Sequence, residues 1–152
     1  MNNLKKLREA TIISKLKELN NSLEFIEDNL PKEYEDFKIS RLLRNGIYKE
    51  LEFALENVLD ICSIINSDLG LGMPEVEDNI LDNLEGKKIF AKKIVEIIRD
   101  MKRFRNILVH KYGKINDSIA FETISDGLKD FEMIINEIEK VIKKYKNNQK
   151  IQ

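Results

Sequence analysis

Two prolines and six glycines are all that interrupt 152 residues, and tryptophan is missing altogether. So few chain breakers disfavour a turn-rich β architecture and suit long helices. One cysteine, Cys62, excludes an internal disulfide and a cysteine-rich zinc site. Charge of either sign is not in excess: 26 Lys and Arg face 27 Asp and Glu, a net charge of −1. The molecule as a whole exerts no long-range pull on nucleic acid, so any RNA or DNA site must be a local patch. No run approaches the ~18 apolar residues of a membrane span, and the start MNNLKKLREATI has no apolar signal core. A cytoplasmic protein with no membrane contact is expected.

What is present is apolar (42%) and charged (35%) in proportions that fit one globular domain with charged outer faces. The domain is expected over 1–146, with 147–152 as a frayed basic tail. Leu4, Leu7, Ile12, Leu16, Leu19, Leu23 and Ile26 recur at three- and four-residue spacing and predict a helix over 4–29. Pro31 disfavours the α conformation at Leu30 and ends it. A second pattern runs from Tyr34 or Phe37 to Asn66 through Ile39, Leu42, Leu43, Ile47 and Leu51, with Gly46 as its weak point. NSDLGLGMPE is a break. Its glycine spacing is not a phosphate loop, because no strand precedes it and no Gly-Lys-Ser/Thr follows. A short helix is expected from Pro74, a third long one over 88–111 with Gly113 as its left-handed cap, and a last one after Asn116 or Asp117. The sum is an all-α antiparallel bundle of four long helices plus one short helix.

RFRNILVHKYGKI holds the one histidine of the chain. With each residue advancing roughly 100°, Arg99, Arg103, Asn106 and His110 form a polar stripe running toward the end of the third long helix. Ile94, Ile97, Ile98, Met101, Phe104 and Leu108 gather on the core side. Arg105 falls at the border, on the order of 140° from His110. Two readings of the stripe are open. Arginine forks bind phosphate and offset charge in a phosphorane-like transition state. A histidine of ordinary pKa near ~6.5 can take a proton from a ribose 2′-hydroxyl or give one to a leaving 5′-oxygen. Neither role needs a metal or cofactor. Equally, a protonated histidine at a helix C-terminus is favoured by the macrodipole, and exposed arginines are often merely solvated.

RNILVHKY has the form Arg-x4-His-x-Tyr, with Arg105, His110 and Tyr112 as fixed points. At the end of a long helix, it resembles the HEPN superfamily and most closely the HepT-like toxins. ALENVLDICSIINSDLGLGMPE is similar to that family's second helix and following turn, and the likeness extends from about Leu23 to Ile142. The resemblance implies an HEPN-like fold and a metal-independent endoribonuclease toxin of a prokaryotic toxin–antitoxin pair. It implies a homodimer with the two motifs facing across the interface. By position, Arg105 and His110 would be catalytic, and Asn106 would fill a common polar place after the arginine. Arg99 and Arg103 are this sequence's own candidates for RNA-backbone contact. The partner implied is a small nucleotidyltransferase antitoxin of the MNT type, which would silence the toxin by transferring AMP to Tyr112. A rival from another class is a non-catalytic helical binding subunit of that nucleotidyltransferase.

Overall fold

A computed structural model describes residues 6–110 and 115–150, excepting the side chains of Glu77, Asp78, His110 and 147–150. Among the described residues there are helices and no strands: α1 (Glu9–Asn29), α2 (Tyr34–Ile39), α3 (Arg41–Asp68), α4 (Glu77–Gly86), α5 (Lys92–His110) and α6 (Asp117–Lys150). Four are long, as the periodicity predicts. None among the described residues is both long and apolar enough to cross a membrane. The expected tail, 147–152, lies outside the described side chains, as do Tyr112 and the Gly113 cap.

The second pattern is two helices rather than one. The chain breaks at Ser40, which is extended (φ −105°, ψ 98°) and whose hydroxyl accepts from the Leu43 amide at 3.2 Å. A short polar side chain at this place stabilises a helix start. The break turns Ile39 and Leu42 outward, 78% and 88% exposed, although both continue the apolar pattern. It lets Phe37 drop fully into the core, its ring 5.2 Å from that of Phe121. Gly46 interrupts nothing.

Ion pairs fix the orientations. Arg8 meets Asp68 and Lys15 meets Asp60, so α1 and α3 run antiparallel. Glu9 reaches Lys146, which sets α1 antiparallel to α6. The Lys15 pairing also gives Asp60 a structural place. α3 is the spine, touching α1, α2, α4 and α5, while α6 closes the bundle against α1, α2 and α5. The core is aliphatic, with Ile12, Leu19, Ile26, Ile47, Ile61, Ile65 and Ile98 all buried. Cys62 is among them, and burial pushes its thiol up to about 12. Such a thiol packs as a small apolar group.

Glycine has a real role after α3. Gly70 and Gly72 have positive φ (60° and 140°), which side chains with a Cβ rarely adopt. The buried amide of Asn66 donates to the Gly72 carbonyl at 2.9 Å and accepts from Asn83 of α4 at 3.0 Å. This amide pair closes the turn and fastens α4 to α3. α4 begins at Glu77, three residues later than Pro74 suggests. Asn79 Oδ1 gathers the amides of Glu75 and Val76 at its start.

α5 begins at Lys92 rather than Lys88, because Lys88 takes a left-handed conformation (φ 58°) that ends the preceding turn. The Glu137 carboxylate of α6 accepts from the Ala91 amide at 2.7 Å and so caps α5 from across the bundle. At the start of α6, Asn116 is the cap: its side chain accepts from the Ile119 amide at 3.1 Å.

Candidate active site

α5 carries every candidate except Tyr112. Its buried positions are Ile94, Val95, Ile98 and Leu108, with Met101 partly buried between them. The spacing 94–98–101–105–108 is four, three, four, three, so Arg105 stands in the stripe that faces α3. Its side chain is only 14% exposed, and Nε lies 3.5 Å from Glu56 Oε1 on α3. A guanidinium in a core-facing position requires a carboxylate or several acceptors to offset its desolvation. Helical spacing alone puts Arg105 at the border and does not reveal Glu56. A signal for it exists in the sequence: a charged residue continuing an apolar heptad, opposite a helix with a carboxylate on its inner flank.

Glu56 is 43% exposed, so water screens the pair and its worth is modest. Removing the carboxylate in Glu56→Ala should cost about 0.5–1 kcal/mol in urea unfolding. A double-mutant cycle with Arg105→Ala should return a coupling of about that size. Strict additivity would show that the two side chains do not act on one another.

The other stripe residues go separate ways. Arg99 pairs with Asp82 of α4 and so ties α4 to α5. Arg103 is exposed and pairs with Asp100 one turn back on its own helix. Asn106 is half-buried. The His110 backbone is the last turn of α5, its side chain lies outside the described residues, and Tyr112 is likewise outside. Arg99, Arg103 and Arg105 thus face α4, solvent and α3 respectively, and do not converge on one point within the chain.

Two concavities border this helix. An apolar groove of about 370 Å³ runs between α3, α5 and α6, lined by Leu51, Ile97, Met101, Phe104 and Phe131 among others. Phe131 is buried, whereas Met101 and Phe104 keep partly open faces. A more polar cleft of about 600 Å³ lies at the motif end, between the first turns of α3 and Leu108 of α5. On its wall the Tyr48 hydroxyl donates to Asp117 at 2.5 Å, and Arg44 Nε lies 3.4 Å from the same carboxylate. Burial and then the Asp117 carboxylate push the Tyr48 phenol well above its usual range. Tyr48 therefore stays a donor, and the first residue of α6 is fastened to α3.

Comparison with known proteins agrees with the all-helical fold. The family model described as "Ribonuclease HepT-like" matches residues 19–138. The mRNA nuclease HepT of Shewanella oneidensis is 28% identical over 102 residues, 67% of this chain and 77% of that protein. A solved structure of a tri-AMPylated S. oneidensis HEPN toxin in complex with MNT antitoxin shares the fold. Its TM-score is 0.76 at 24% identity, over 91% of this chain and 98% of that one. YutE of Bacillus subtilis, a cytosolic protein of unknown function, gives the same TM-score at 14% identity, over 91% and 92%. At such identities these two likenesses speak for the fold alone. The family match spans most of the sequence, and the chain belongs to the ribonuclease HepT-like family.

Proposed function

We propose that this chain is the toxin of a prokaryotic toxin–antitoxin pair, a cytoplasmic, metal-independent endoribonuclease acting at a dimer-interface Arg-x4-His-x-Tyr site. The observation that carries the reading is the placement of Arg105. Its guanidinium is held on the α3 side by Glu56, while the helix geometry directs position 110 on the order of 140° away. A site using both groups is most simply assembled from two chains, Arg105 of one beside His110 of the other. The partly open apolar groove lined by Met101 and Phe104 supports an association of this kind, since apolar surface gains from being covered.

In such a site the ribose 2′-oxygen attacks the adjacent phosphorus and the bond to the 5′-oxygen breaks. One end is left as a cyclic phosphate and the other as a 5′-hydroxyl. Arg105 binds the non-bridging oxygens and offsets the charge that grows on them. His110 moves a proton, from the 2′-hydroxyl or to the leaving oxygen. Arg103 and Asn106 lie along the approach and would steady the strand. Arg99 would first have to leave Asp82. The partner is an MNT-type nucleotidyltransferase antitoxin, and its control point is Tyr112.

Partner-free protein incubated with total RNA in EDTA should cut it, with a rate that depends on a group titrating between about pH 5 and 8. Arg105→Ala and His110→Ala, each shown to be folded, should not cut. Cleavage persisting in both variants would remove the assignment. No cleavage by the wild type would favour a non-catalytic subunit that only binds the nucleotidyltransferase.

A further inference from the structure

The cleft at the motif end is built largely by residues outside the motif. Arg41, Arg44, Tyr48 and Lys49 face it from α3, with Glu52 one turn further on. These positions are three, four, seven and eight residues apart and share one helix face. Its floor is apolar, formed by Leu108 of α5 and Ile115, and Asp117 closes the far side. Leu108 lies two residues before His110, about 3 Å along the helix axis at the usual rise.

The charges here are unequally committed. Arg44 is fixed by Asp117 and also donates to the Lys38 carbonyl at 2.6 Å. Lys49 is exposed; it meets the half-buried Glu52 at 3.4 Å and lies 5.0 Å from the Phe53 ring centre, weak contacts that a phosphate can compete with. Arg41 is exposed and has no ion pair among the described residues. It also occupies the first turn of a 28-residue helix, where the dipole favours an anion. A cationic rim over an apolar floor, large enough for about one nucleotide, is the arrangement that holds a strand by its phosphate and covers its base or sugar.

We infer that this cleft is a flanking-nucleotide subsite, in which Arg41 and Lys49 take an RNA phosphate next to the scissile one and Leu108 and Ile115 cover that nucleotide. Arg44 is its fixed wall, positioned by Asp117 and Tyr48. The inference rests on the ribonuclease reading of the adjacent motif, but binding tests it separately from cleavage. A concave cleft suits one strand better than the broad surface of a folded partner.

The test uses the full chain and a fluorescent, uncleavable 2′-O-methyl octanucleotide titrated at several KCl concentrations. For a single strand, removing one cation that neutralises a phosphate should flatten the plot of log affinity against log salt by about 0.7. Arg41→Ala/Lys49→Ala, which gives up that one phosphate, should therefore flatten it by about 0.7 and raise KM for cleavage of single-stranded RNA on the order of tenfold. Lys17→Ala/Lys143→Ala removes the same charge from the distant groove between α1 and α6, and should keep the wild-type slope and KM. Equal slopes and KM values for both double variants would overturn the subsite. So would intact RNA binding together with abolished binding of the nucleotidyltransferase, which would make the cleft a protein-docking face. A wild type that binds with the full slope yet cuts no RNA would sink the ribonuclease reading and leave the subsite standing.

Discussion

Arg105→Ala and His110→Ala should each lower RNA cleavage by on the order of 10²–10⁴-fold, and mixing the two inactive chains should restore it in part. The restoration follows from the geometry of α5. If Arg105 of one chain works with His110 of the other, each homodimeric variant has two broken sites. A mixed dimer has one site with both mutations and one with neither. Unfolding and refolding the two variants together in equal amounts makes about half the dimers mixed. Activity should then approach about a quarter of the wild type. If both groups work within one chain, no combination contains an intact site and mixing restores nothing. The readout is initial rate on a quenched-fluorophore RNA, with each variant alone as the baseline. Full recovery, or none, would discard the two-chain site.

AMP transfer should silence the enzyme through Tyr112. The Tyr112 oxygen would attack the α-phosphorus of ATP, pyrophosphate would leave, and a phosphodiester carrying one negative charge would remain. Beside a site that binds phosphate this adds like charge and bulk where the strand must lie. Cleavage should fall roughly tenfold or more, and the loss should shrink at high salt as screening weakens the repulsion. Intact mass after incubation with the nucleotidyltransferase and ATP should rise by the mass of AMP, and Tyr112→Phe should take one increment fewer. An unchanged pattern of increments in Tyr112→Phe would place the acceptor elsewhere. Undiminished cleavage by the modified chain would break the link between modification and control.

Much of the fold is legible in the sequence because long helices announce themselves by period. Ile94, Ile98 and Leu108 mark the core side of α5, and residue type marks the cap at Asn116. Most features that escape sequence reading share a cause: they depend on a partner far away in the chain. Ile39 and Leu42 keep the apolar rhythm yet point to solvent, because Ser40 turns the chain between them and Phe37 takes the core position instead. The cap of α5 comes from Glu137, 46 residues away, whose carboxylate holds the Ala91 amide just ahead of the helix. Arg105 is recognisable as a motif residue that continues an apolar spacing, but the Glu56 carboxylate that meets it on the core side is not. The motif-end cleft joins Arg41 and Arg44 to Leu108 and Asp117, and no local pattern connects them.

The carboxylate of Glu137 at the head of α5 has a dynamic consequence. That helix is pinned at its beginning by α6, further along by Asp82 through Arg99, and then by Glu56 through Arg105. Beyond Arg105, Ile107 is exposed and Leu108 is the last buried residue before the described part of the helix ends. Over the described residues α5 is therefore held by three different elements in turn, so these turns should open only together with the bundle and not by themselves.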